Sequence, residues 1–371
     1  MGTREHAFVV GGGPAGLVAA IALRQKGLRV TVADGSDFPR DKACGEGILP
    51  EGLAALERMK IALDPTEGRA FHGIRFVNEH SSAEAGFASR AGLGMRRISL
   101  HRQLIRGAKQ VGVSILRNTP INGISSGRVF AGADSFAADW IIGADGFRSQ
   151  VRRWAKLGEK KPASLRYAFR QHFACRPWTD FVEIHWAAKA QLYVTPVSNR
   201  EIGVVVLSRN PRLRLQEALQ FFPAVRERLT NCKATTVERG AATGNLSLRA
   251  VCSGNIALVG DASGAVDAIT GEGMSLAFQQ AEALAEAIAQ DDLSLYAGAH
   301  SRLRRRPIWM ARLLLTLQGH PKLQERVLQI FAAEPELFQR MLAVHVGHVS
   351  PFSLAAASAR LGLLLLAANF S

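Results

Sequence analysis

An apolar run from Ala7 to Val10 ends in the glycine-rich stretch Gly11 to Gly16, after which apolar residues recur at Leu17, Ala20, Ile21 and Leu23, the spacing of one helix face. Gly27 closes that helix, and a second apolar run from Leu28 to Ala33 stops at Asp34. Strand, glycine turn, helix, strand is a βαβ unit, which sets its two strands parallel in one sheet. Helical spacing from Ser99 to Gln110 leads into the apolar strand Val113 to Leu116. Two more apolar strands, Trp140 to Ile142 and Asn255 to Val259, each run straight into a glycine, Gly143 and Gly260. Residues 71 to 94 read as irregular strands, and Leu165 to Leu207 alternates with period two, most clearly in Phe181–Trp186 and Ile202–Leu207. Met274 to Gln290 is strongly helical, and the pattern stays helical from Tyr296 to the end.

A β-rich stretch thus interrupts the βαβ elements. The pattern predicts an α/β fold in which a doubly wound, Rossmann-like domain is interleaved with a β-sheet domain and followed by a C-terminal helical region. The expected boundaries are residues 1–65, 96–157 and 246–295 for the first domain, 66–95 and 158–245 for the second, and 296–371 for the helices.

The chemistry begins at the first turn. Gly11, Gly13 and Gly16, with Pro14 and Ala15 between them, stand between a strand and a helix, and Asp34 closes the next strand. Glycines permit a tight turn and a close backbone approach to a pyrophosphate, which the helix N-terminus attracts. An acid at the end of the second strand is placed to accept ribose hydroxyls. This marks a dinucleotide site without saying which dinucleotide.

Three further segments give a family resemblance. Gly143-Ala-Asp145-Gly146, continuing to Ser149 and Arg152, resembles the second fingerprint of the flavoprotein hydroxylases. Gly260-Asp261-Ala262 resembles their third, and Arg97 followed by Leu100, Leu104 and Ala108 resembles the arginine that opens a helix beside the flavin. The chain is similar to the superfamily of p-hydroxybenzoate hydroxylase, the geranylgeranyl reductases and the flavin halogenases. The resemblance implies FAD as cofactor, with Asp261 on its ribityl chain and NAD(P)H as reductant, bound without a second dinucleotide domain. Arg40, Lys42, Cys44 and Gly45 look like the RxKxCGxG stretch of the reductases and halogenase-like proteins. Gly271, Glu272, Gly273 and Met274 resemble the loop and helix start that touch the flavin ring. Cys44, Gly271, Glu272 and Gly273 are therefore the candidate catalytic positions. Cys44 either faces the ring or packs as a small thiol behind a glycine turn.

Where the hydroxylases carry a histidine after the third fingerprint, this chain has Gly264, and where reductases carry a tryptophan in the substrate sheet it has Tyr193, before Thr195 and Pro196. The implied activity is NAD(P)H-dependent hydroxylation of an apolar or aromatic small molecule through a flavin C4a-hydroperoxide. The alternatives are reduction of carbon–carbon double bonds in an isoprenoid or lipid and, ranked last, a non-catalytic flavin-binding protein. Glu183 and His185 share a face of the predicted substrate sheet, and a solvated pair is the expected reading.

Composition adds bounds. Among 371 residues, four widely spaced cysteines include no CxxC pair, so neither a metal site nor a disulfide framework is expected. The N-terminus lacks the apolar stretch of an export leader, and the apolar run near residue 361 is too short to span a bilayer, so a cytoplasmic location is expected. The net charge of +15 accompanies no nucleic-acid module. Arg302, Arg304, Arg305 and Arg306 are expected on a solvated helix face, and the basic helical tail admits peripheral contact with a membrane.

Overall fold

The computed structural model describes residues 5–160, 165–347 and 351–367. Met1–Arg4, part of the stretch read as lacking a leader, and residues 368–371 of the expected helical tail lie outside the described residues.

The apolar strands assemble into one six-stranded sheet in the order Cys252–Ser253, Ile256–Leu258, Trp140–Gly143, His6–Val10, Arg29–Ala33, Ser114–Leu116. All neighbours are parallel except the short outer strand Cys252–Ser253. Alternation decides the layers. Ala7 and Val9 pack with helices Pro14–Gln25, Arg97–Gln110 and Gly273–Ala289, while Phe8 and Val10 pack with Val129 of a small three-stranded sheet on the opposite face. Because the four inner strands are parallel, the turns that follow Val10, Ala33, Gly143 and Leu258 all emerge at one edge, where open α/β sheets bind ligands.

A second sheet of eight strands stands across that edge. Its path runs Lys233–Ala234, Arg166–Ala174, Ile202–Ser208, Ala190–Pro196, Phe181–Trp186, Gly73–Val77, Ser82–Gly86, and Arg239–Thr243 also pairs with Arg166–Ala174. Both faces are covered. Leu192, Val194, Val204 and Val206 pack under Leu219, Phe222 and Val225, while Val182, Ile184, Val205 and Leu207 belong to a core shared with Met310, Phe331 and Phe338 of the C-terminal helices.

Double coverage corrects one expectation. Glu183 and His185 do share a face, but they are 3% and 8% exposed rather than solvated. Glu183 accepts hydrogen bonds from Trp178 (2.9 Å) and Arg75 (3.1 Å), and its Oε2 lies 3.0 Å from His185 Nε2. Those partners hold its carboxyl at about 2 against the cost of burial, which identifies a satisfied structural pair.

The arginine cluster also departs from expectation. Helix Leu293–Gly319 exposes Arg302 and Arg305 but buries Arg304, which donates to the carbonyls of Ser263 (3.0 Å) and Leu246 (2.8 Å). Arg306 turns inward to Glu272 at 3.4 Å. Among the described residues no helix is long and apolar enough to cross a membrane.

Candidate active site

One cavity of about 790 Å³ lies between the two sheets. Its floor is built by the strand-end turns. Gly11 has φ +111°, and a side chain there would meet Ala144 O at 2.4 Å. A Cβ on Gly16 would lie 2.0 Å from Gly11 O, so this glycine seats the helix on its strand and does not line the cavity. Gly13 does line it, and a Cβ there would project toward Arg97, 3.9 Å away. The first helix begins without a side-chain cap, leaving first-turn N–H groups available to a ligand. Asp34 accepts from Gly12 N (2.8 Å) and from Ser36 Oγ (2.6 Å), so it organises the turn as well as facing the cavity.

Asp145 also lines the cavity, yet its carboxylate is committed. It accepts from Ser149 Oγ (2.5 Å), Gln150 N (2.6 Å) and Val151 N (3.1 Å), tying down the start of helix Gln150–Trp154. Asp261 differs: its carbonyl accepts from Gly264 N (3.3 Å), but its carboxylate makes no hydrogen bond to a described residue and lines the cavity. Enclosure pushes its carboxyl upward, while Arg97 and Lys42 pull it back. Lys42 is itself lowered by burial and by Arg40 and Arg97. Arg97 opens its helix with its backbone N–H on Glu46 (2.8 Å) and leaves its buried Nε without a partner. The site thus presents cations and a free guanidinium donor beside a carboxylate that no described group caps.

The description of the FAD binding domain family matches residues 4–292. The chain belongs to this family and is an FAD-dependent oxidoreductase. Two relatives are a menaquinone reductase from Mycolicibacterium smegmatis, 27% identical with 81% of this chain and 80% of the relative covered, and a putative 2-heptyl-3-hydroxy-4(1H)-quinolone synthase from Rhodococcus erythropolis, 27% identical with 87% and 94% covered. A flavoprotein/dehydrogenase from Cytophaga hutchinsonii shares the fold, with a TM-score of 0.79 at 19% identity over 92% of this chain and 93% of that one.

The flavoenzyme's cavity suits the cofactor on its own evidence. A Cβ on Gly45, Gly271 or Gly273 would meet nothing within 4 Å, so two backbone segments leave a cradle that side chains would fill. Gly271 takes φ +68°, a conformation glycine adopts without strain. Arg40, Lys42, Cys44, Gly45, Gly260, Gly271, Gly273, Met274, Pro14 and Ala15 all line the cavity; Glu272 does not. Its side chain points away, toward Arg306 and His345, whose Nδ1 is 3.6 Å from Glu272 Oε2. Burial raises Glu272 to about 8 and lowers His345 to about 4.

Cys44 sits at the junction of the two sheets, its Sγ 3.9 Å from Met274 Sδ and accepting from Glu46 N at 3.4 Å. Burial pushes its thiol upward. Beside it the sequence reading missed a charged network. Glu46, 1% exposed and left-handed at φ +60°, places Oε2 2.5 Å from His172 Nε2. Arg170 reaches His172 Nδ1 at 2.8 Å and also binds Asp41. Three residues hold the third fingerprint: Gln280 and Tyr296, which the sequence reading missed, and Arg152 of the second fingerprint. Gln280 accepts from Gly260 N (2.9 Å), Tyr296 donates to Leu258 O (2.6 Å), and Arg152 donates to Ala262 O (3.0 Å). A polar residue at i+7 in the apolar helix pattern was the available signal for Gln280.

Gly264 has a physical reason for not being histidine: at φ +105°, a Cβ would lie 2.2 Å from the Arg304 guanidinium and 2.7 Å from Leu246 O.

Proposed function

We propose that the flavoenzyme reduces a carbon–carbon double bond in an apolar, isoprenoid-like substrate, with NAD(P)H as electron source. The observation that carries this reading is the wall opposite the cofactor cradle. Leu49, Phe71, Ile74, Val182, Ile184 and Leu207 supply an apolar surface. Two hydroxyls along it donate to the backbone: Tyr193 to Ile269 O (3.0 Å) and Thr195 to Gly45 O (2.8 Å). Such a wall recognises shape and apolar area, and among the described residues it carries no charged side chain to anchor a phenolate or carboxylate.

Arg97, Asp34, Asp261 and the turns at Gly13, Gly45, Gly260 and Gly271 would hold FAD, with Arg40, Lys42 and Asp145 at its edge. When bound, FAD supplies the hydride that it receives from NAD(P)H. The matching proton would pass through Cys44, whose thiol burial keeps neutral, with solvent returning a proton to the sulfur after each transfer. Glu46 and Met274 fix that sulfur at the mouth of the apolar chamber. A substrate of this kind resides in lipid, and the exposed Arg302, Arg305 and Arg312 of helix Leu293–Gly319 give a basic face suited to approach it.

A second reading, hydroxylation of an apolar or aromatic molecule, is favoured by the relative named for a 3-hydroxyquinolone. One experiment separates the two. The FAD-loaded protein is reduced anaerobically with NADPH or dithionite and mixed with a geranylgeranyl lipid. Stoichiometric flavin reoxidation with a product heavier by two hydrogens supports the reductase. Reoxidation only after oxygen is admitted, with oxygen incorporated into the product, overturns it in favour of the hydroxylase.

A further inference from the structure

Two of the four cysteines meet on the outer part of the substrate sheet, away from the flavin cavity. Strand Arg166–Ala174 pairs antiparallel with Lys233–Ala234, with Phe173 opposite Ala234 and Ala174 opposite Lys233. The next step of that register sets Cys175 opposite Cys232. Thr235 N donates to His172 O at 2.9 Å, which marks the His172–Thr235 pair as hydrogen-bonded. Pair types alternate along an antiparallel ladder, so Cys175 and Cys232 occupy a non-hydrogen-bonded pair. Cα atoms in such pairs approach to about 4.5 Å and their side chains share a face, within the span a disulfide bridges. Both residues are free thiols and both are partly exposed, with Cys232 Sγ donating to Arg228 O at 3.3 Å.

Cys175 also lines an open cavity of about 590 Å³ with Arg69, Arg176, Asn199 and Arg200. Arg69 is paired with Asp180 at 2.6 Å, whereas Arg176 and Arg200 form no ion pair among the described residues. Uncompensated guanidinium groups beside an accessible thiol favour an anionic reactant.

We propose that Cys175 and Cys232 form a reversible dithiol–disulfide site whose redox partner is an anionic low-molecular-weight disulfide bound at the arginine-lined cavity. One protein thiolate attacks the small disulfide, giving a mixed disulfide and releasing one small thiol. The second protein cysteine then displaces the other small thiol. Two protein thiols are oxidised, one small disulfide is reduced to two thiols, and the two protons go to those products. A cross-strand bridge of this type fits a reducing compartment, where disulfides are transient. Burial and the adjacent Cys232 hold Cys175 protonated up to about 12, so exchange accelerates as pH rises from neutral.

The bridge has a structural consequence. The segment carrying Cys232 also carries Thr236, whose hydroxyl lies 3.0 Å from His172 Nδ1 and accepts from His172 N at 3.1 Å. Closing the pair fixes that segment against the strand that delivers His172 to Glu46.

The test uses the full FAD-loaded chain incubated with oxidised glutathione or with the cationic disulfide cystamine, quenched by alkylation and mapped by peptide mass. The expected result is one intrachain Cys175–Cys232 peptide, lighter by two hydrogens, reversed by dithiothreitol and formed several-fold faster with oxidised glutathione at low salt. Cys175→Ser is expected to bind FAD normally and to leave Cys232 as a mixed disulfide. Full alkylation of both cysteines after treatment, bridging to Cys44 or Cys252 instead, or equal rates with cystamine would overturn the proposal.

Discussion

Two glycines three residues apart in the same turn carry opposite constraints. A Cβ on Gly16 would collide with backbone at 2.0 Å, whereas one on Gly13 finds open space up to Arg97 at 3.9 Å. Gly13→Val is therefore expected to fold and to purify without FAD, because its branches project into the cofactor cradle; Gly16→Val is expected to lose soluble expression. Flavin absorbance and circular dichroism of the two variants check this, and a folded Gly16→Val carrying FAD would refute the packing role. Asp261→Ala removes a cavity carboxylate with no described protein partner, so the fold should hold while FAD affinity falls by roughly tenfold or more, on the order of 1–3 kcal/mol. Titration of the apoprotein with FAD, followed by flavin fluorescence, gives that number. The motif glycines and acids were legible because each obeys a local rule about turns or strand ends. Glu46 and His172 were not: one sits inside a glycine motif and the other 126 positions away, and only the packing of two sheets brings them to 2.5 Å.

At the level of elements, apolar alternation named the strands well, including Trp140–Gly143 and Ile256–Leu258, since parallel strands buried on both faces read as continuous apolar runs. The same double burial misled the reading of Glu183 and His185, because a polar pair in a strand looks identical whether water or buried partners satisfy it. Helix Gly273–Ala289 shows how a polar residue near an element's end acquires a function invisible in its pattern. Glu272 precedes this helix and sits among Arg306, His345 and Glu51, with its own value raised to about 8 and that of Glu51 to about 7. Glu272's folded value lies above the ordinary 4.5 for a glutamate, so the folded chain holds a proton that the unfolded chain releases as pH climbs from about 4.5 to 8. Stability attributable to Glu272 therefore declines with rising pH through that window, by at most about 1.4 kcal/mol per pH unit. The melting temperature of the FAD-loaded protein should fall between pH 6 and pH 9. Glu272→Gln cannot ionise and should flatten the slope in part, leaving the contribution of Glu51. Parallel slopes in the two proteins would remove Glu272 as the cause.

For the whole molecule, the C-terminal helices do two jobs that sequence periodicity does not separate. Their inward residues close the structure: Arg304 fills the space beside Gly264, Tyr296 holds Leu258, and Phe331 and Phe338 stack at 4.7 Å behind the eight-stranded sheet. Their outward residues, among them Arg302, Arg305 and Arg312, carry part of the net charge of +15. A run of arginines reads the same in both settings, and the three-dimensional split follows from which helix face meets the third fingerprint. The outward charge has a consequence if the substrate is drawn from lipid. Each basic residue held near an anionic surface contributes about 1 kcal/mol, and that attraction is screened within about 10 Å at 0.1 M salt. The FAD-loaded protein is expected to sediment with vesicles of phosphatidylglycerol and phosphatidylcholine, to dissociate as salt is raised to 0.5 M, and to ignore pure phosphatidylcholine. Arg302→Glu with Arg305→Glu reverses charge on the exposed face without touching Arg304 or Arg306, so it should weaken sedimentation while FAD binding is retained. Equal sedimentation of that variant would show that another basic surface makes the contact, and absence of sedimentation for the parent protein would leave the charge serving solubility alone.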